Sequence, residues 1–149
     1  MENTVKAPFL ILVLVSAAPC LAGPACLAGK RASLIGGHFS GAIVCSRKDA
    51  SFRLAGQTTG KKYLIYDYRY RFLAHAGGVM HGGQRLVVFR GKTYVGQYAL
   101  SPPPYTDVRV EGSQIELGTP GNRETVRLDF SRKPPARFFF GGETEAFSR

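Results

Sequence analysis

The chain has 149 residues, with 20 Lys and Arg against 10 Asp and Glu, a net charge of +10. That length points to one domain, and 44% hydrophobic with 20% charged residues is the composition of a globular chain rather than a disordered one. Eighteen Gly and nine Pro, spread along the chain without a single Trp, fit frequent turns between short strands and argue against long helices.

Residues 1–22 have the organisation of a secretory signal. Lys6 supplies a weak positive start, partly offset by Glu2, and residues 7–15 (APFLILVLV) form an apolar run too short to span a membrane as a helix. Signal peptidase takes small side chains at −3 and −1. Cys20-Leu21-Ala22 meets this with Gly23 as the new N-terminus, and Gly23-Pro24-Ala25 is the second choice. Cutting after Ala18 would leave Pro19 at a disfavoured position. Neither Cys20, with Ala17 and Pro19 before it, nor Cys26, with Gly23 and Ala25, fits a lipoprotein box. The expected product is therefore a periplasmic or secreted domain of residues 23–149, its ordered core at about 38–140, without a transmembrane span. Removing Lys6 and Glu2 together leaves the net charge unchanged. Cys26 and Cys45 remain as an even pair, and in an oxidising compartment they are expected to bridge.

After a Gly-rich entry, residues 39–46 read as a first strand and 51–54 as a short second one. The clearest strand is 63–73, where Tyr66, Tyr68, Tyr70 and Phe72 alternate with Asp67, Arg69 and Arg71. A period of two over seven positions is the mark of a strand with one buried face. Residues 75–83 (HAGGVMHGG) read as a connection, followed by strands at 85–89 and 93–100 joined through Arg90-Gly91-Lys92. Three prolines in 101–105 cannot lie inside a sheet. Strands at 107–110 and 114–117 flank Glu111-Gly112-Ser113, and Thr119-Pro120-Gly121-Asn122 has the residues of a type II turn. Residues 124–130 alternate again, 137–140 form a last apolar run, and the tail from Gly141 is expected to fray. The whole reads as an all-β domain, an antiparallel sandwich or small barrel of about eight strands, with no helix after the signal.

Chemistry is harder to find. No Gly-x-Ser-x-Gly, Ser-x-x-Lys or His-Glu-x-x-His motif occurs, and the few carboxylates sit beside basic neighbours, so no enzymatic reading is supported. Arg47 and Lys48 would lower the Cys45 thiol pKa, but a reactive thiol competes there with the disulfide. His75, Met80 and His81 carry donors that suit copper, with His38 as a distant third imidazole; the plainer reading is a glycine turn with polar ends.

Charge is more informative. Arg69, Arg71, Arg85, Arg90, Lys92 and Arg127 lie in or near neighbouring strands and become anion-binding candidates if those strands pair. Outside the cytoplasm the matching partners are an anionic envelope polymer, lipid head groups or a protein. The tyrosine and arginine interleaving of 66–72 resembles a stacking platform for single-stranded nucleic acid, but export removes that partner and a half-buried strand explains the aromatics. Pro102-Pro103-Pro104-Tyr105 matches a short WW-domain ligand pattern, which a turn before a strand also accounts for. The expectation is an exported, non-enzymatic binding or accessory protein of the cell envelope; the second reading is a copper-handling protein.

Overall fold

The computed structural model describes residues 26–73, 75–100, 105–121 and 124–149. The signal-like segment, both cleavage positions and the triple proline lie outside them. Nine strands are described, one more than expected, in three antiparallel sheets that stay open rather than closing into a barrel. Strands β1 (Ala50–Gln57), β2 (Tyr63–Leu73), β3 (Met80–Arg90) and β4 (Thr93–Leu100) form a four-stranded meander. A second meander contains β5 (Asp107–Glu111), β6 (Gln114–Gly118) and β7 (Thr125–Asp129); β8 (Arg137–Phe140) and β9 (Glu143–Ala146) make a hairpin. The β3–β4 and β5–β6 turns hold only two residues each, and Gly91 and Gly112 stand there at φ 58° and 59°. Positive φ is what a tight hairpin turn demands of its glycine.

The large sheet is buried on both faces. On one, Tyr63, Ile65, Leu86, Val88 and Tyr98 share a core with Val108, Ile115, Leu117, Leu128 and Phe130 of the second sheet region. On the other, Tyr66, Tyr68, Tyr70, Val87, Phe89 and Tyr94 pack under the N-terminal segment, against Leu27, Leu34 and Phe39. The alternation of β2 therefore does not separate core from solvent. Its central residues separate two cores.

The N-terminal cover corrects two expectations. Residues 31–36 form a short helix, α1 (Arg31–Gly36), whose Leu34 is fully buried. Residues 39–46 form no strand, because their backbone is held by a side chain rather than a ladder. The Tyr68 hydroxyl donates to the Ala42 carbonyl at 2.8 Å and accepts from the Val44 N–H at 3.0 Å. Phe39 meets Tyr94 edge-on, with centroids 5.9 Å apart. The Cys26–Cys45 disulfide closes this cover across 19 residues with Cα atoms 4.9 Å apart. Loops of this length stabilise a fold by about 3 kcal/mol in the chain-entropy picture.

Two further boundaries move. Met80–Gly83, expected in a connection, belong to β3: Leu73 pairs with Met80 and Tyr70 with Gly83. The tail does not fray at Gly141, since it continues as β9 and then docks on β4. Gln97 and Ser148 exchange backbone hydrogen bonds of 2.8 and 2.9 Å. Phe147 fills the space over Gly96, where an added Cβ would stand 2.4 Å from its ring. Among the described residues, no helix is long and apolar enough to cross a membrane.

Candidate anion-binding groove

β1 begins at Ala50, opposite Tyr70 of β2, so among the described residues the rest of β2 has β3 as its only paired strand. The turn that leads into β1 lies along this exposed stretch. Between them is a groove of about 360 Å³ whose lining includes Arg47, Lys48, Asp49, Arg69, Arg71 and Tyr105.

Two of its cations are held in place. Arg71 Nη2 donates to the Lys48 carbonyl at 3.2 Å and lies 3.5 Å from Asp49 Oδ1. Arg69 Nη2 donates to the Thr106 carbonyl at 3.0 Å, and its guanidinium stands 5.2 Å from the Tyr105 ring centre. Its Nε is 3.0 Å from Asp67 Oδ2 but off the donor axis, an ion pair rather than a hydrogen bond. Arg47 and Lys48 are exposed and have no ion pair among the described residues.

Asp67 explains why Arg69 stays put. It occupies a position of β2 that otherwise faces the core, and only 3% of its side chain is exposed. Gln84 Nε2 donates to Asp67 Oδ1 at 2.8 Å and to the Thr106 carbonyl at 2.7 Å, and Gln84 Oε1 accepts from the Thr106 N–H at 2.7 Å. Arg53 reaches the same carboxylate at 3.6 Å. This network fixes the chain entering β5 against the large sheet and supplies the pairing and hydrogen bonds that a buried carboxylate requires.

The six anion-binding candidates do not form one patch. Arg69 and Arg71 converge on the groove, where Arg47 and Lys48 join them. Arg85 lies on the opposite face of the sheet, its Nε 3.3 Å from the Tyr70 hydroxyl. Arg90 donates to the Tyr63 hydroxyl at 2.8 Å and stacks on that ring at 5.0 Å. Arg90 and Lys92 sit at the β3–β4 turn, eight register pairs from Arg71, or about 26 Å at the usual rise per residue. Arg127 is paired with Glu116 at 3.0 Å. From the sequence, Arg47 and Lys48 stand out as neighbours of Cys45 and Lys48 as a turn residue; an Arg-Lys-Asp turn beside a strand start carries no distinctive spacing.

The histidines are dispersed along their segments. His81 stacks on Phe72 with ring centres 5.6 Å apart, Met80 pairs with Leu73, His75 lies in the loop between β2 and β3, and His38 follows α1 at φ 61°. Among the described residues, no group of three or more His, Cys, Asp or Glu is arranged to hold a metal ion. Tyr66, Tyr68 and Tyr70 are buried, so they offer no open stacking platform. Compared with models of known families, with curated proteins and with solved structures, the chain matches none.

Proposed function

We propose that this chain is an exported, non-catalytic binding protein that recognises an anionic component of the cell envelope through the Arg47–Lys48–Arg69–Arg71 groove. The observation that carries the reading is the convergence of those four cations at one end of β2, where Asp49 faces Arg71, Asp67 and Asp107 face Arg69, and Arg47 and Lys48 have no ion pair among the described residues. Arg69 and Arg71 are already oriented by carbonyls and carboxylates, so little freedom is lost when an anion arrives. Arg47 and Lys48 supply unpaired charge. The Cys26–Cys45 bridge suits an oxidising compartment, and the apolar run at 7–15 suits export.

A charge-matched pair of variants tests the groove. Arg47→Glu with Lys48→Glu removes four units of net charge, and so does Arg132→Glu with Lys133→Glu elsewhere on the surface. The groove pair should weaken binding to dextran sulfate by about tenfold or more, since each cation near a polyanion contributes on the order of 1 kcal/mol. The control pair should weaken it far less. Equal losses would mean that net charge alone drives binding, and the groove reading would fall.

A further inference from the structure

Beyond the groove, the β2–β3 hairpin runs on as a two-stranded ribbon among the described residues. The last β1 partner is Tyr70 and the last β4 partner is Gln84, so among the described residues the pairs Arg71–Gly82, Phe72–His81 and Leu73–Met80 have no third strand, and only Arg71 is tied further, its N–H donating to the Asp49 carbonyl at 2.7 Å. This ribbon carries Phe72, Leu73, Val79 and Met80, exposed by 36, 54, 77 and 50%. They are four of the seven large apolar residues that are exposed among the described residues. Scattered apolar side chains need no explanation, but four at one tip do. A two-stranded ribbon is marginal in water.

The cations nearest the tip are Arg71, Arg47 and Lys48, with Asp49 against Arg71. The sequence has no Asp or Glu from Tyr68 to Thr106, so the ribbon itself carries no acidic residue, while Arg85, Arg90 and Lys92 of that stretch lie away from the tip. Arg71 is the last cation before the apolar pairs, and Arg47 and Lys48 lie beside it in the groove.

Resting on the groove reading above, we infer that the groove's anion is the head-group layer of an anionic lipid surface, into which the β2–β3 tip inserts. The two faces of the ribbon decide between occupants. Phe72 lies on one face and Leu73 and Met80 on the other, because successive strand residues point to opposite sides. A protein groove would grip one face. Acyl chains accept both. Leu73 and Met80 stand two residues beyond Arg71, about 7 Å further along the strand. That matches the roughly 5–10 Å depth at which interfacial segments bury their apolar side chains, with Arg71, Arg47 and Lys48 left at phosphate level.

The absence of Trp from the chain makes a clean reporter. In Val79→Trp protein, phosphatidylglycerol vesicles should shift the emission to the blue, and bromine-labelled acyl chains should quench it. Pure phosphatidylcholine vesicles should do neither, and Leu54→Trp, at an exposed site on β1, should stay unshifted. Leu73→Ser with Met80→Ser should weaken phosphatidylglycerol binding about tenfold while leaving retention on dextran sulfate unchanged. Vesicle binding without a Trp shift would overturn the inference and leave the groove reading standing. So would binding to dextran sulfate without binding to vesicles. Failure to bind either polyanion or vesicle would overturn both.

Discussion

The two halves of the β2–β3 ladder share one sequence pattern and have opposite fates. From Tyr63 to Tyr70, β2 has a third and fourth strand beside it, a second sheet on one face and the disulfide-closed cover on the other. From Arg71 to Leu73 the same alternation continues, yet β1 and β4 have ended and every residue is exposed. Alternation alone therefore does not say that a face is buried. Burial comes from what the rest of the chain brings to that face, and an aromatic side chain is structural at Tyr68 and available at Phe72 for that reason alone.

The sharpest test of this contrast is truncation on either side of the boundary. Tyr68→Ala removes a fully buried ring and the hydroxyl that holds Ala42 and Val44, and should destabilise by about 3–5 kcal/mol in urea unfolding. Phe72→Ala should cost less than about 1 kcal/mol. Equal costs would mean that the tip is as well supported as the core. Next comes the polar link between the halves. Asp67→Ala leaves Arg69 without its buried partner and should cost about 2–4 kcal/mol. It should also reduce anion binding, because Arg69 loses its fixed orientation. A stability loss with binding intact would show that the network serves only the fold.

Cys26→Ser with Cys45→Ser should lower stability by about 3 kcal/mol and let the cover amides of Phe39 and Val44 exchange before those of the β5–β7 sheet. Uniform loss of protection would show that the cover and the second sheet unfold as one. The smallest effect concerns pH. Burial pushes the Tyr94 hydroxyl up to about 12, with Arg85 opposing it, and raises Tyr68 and Tyr98 as well. A raised folded-state value means that the stabilisation is complete below the unfolded value near 10 and is lost as pH climbs towards 12. Stability should therefore be flat with respect to these groups at neutral pH and fall in that alkaline window. Tyr94 has a buried hydroxyl without a hydrogen-bond partner, so Tyr94→Phe should be neutral or slightly stabilising at pH 7 and should flatten the alkaline decline. A clear loss at neutral pH would indicate a partner for that hydroxyl.

Much of the fold was legible because its signals are local. The β2 alternation, the Gly91 and Gly112 turns and the pattern at 124–130 depend on neighbours in sequence, and each appears within about a residue or two of its expected place. What failed depended on distant partners. Residues 39–46 have strand-like composition but find the Tyr68 hydroxyl instead of a ladder. Met80–Gly83 look like loop because glycines are rich there, yet β2 gives them a register. β9 was missed because its alternation of Glu and Thr hides the one inward carboxylate, Glu145, whose pKa burial and nearby Glu143 raise against the pull of Arg85.

The candidate site divides the same way. By itself, the sequence determined an antiparallel β chain with excess positive charge and a cysteine pair able to bridge, since charge, periodicity and turn residues are properties of the string. Only the tertiary structure decided which cations meet. Arg69 and Arg71 share a strand face and could be paired from sequence, whereas Arg47 and Lys48 join them because the turn before β1 folds back along β2. Arg85, Arg90, Lys92 and Arg127 were equally plausible as residues, and the register carried them to another face, another turn and an ion pair. Convergence of charge depends on strand pairing across dozens of residues, and no local pattern encodes it.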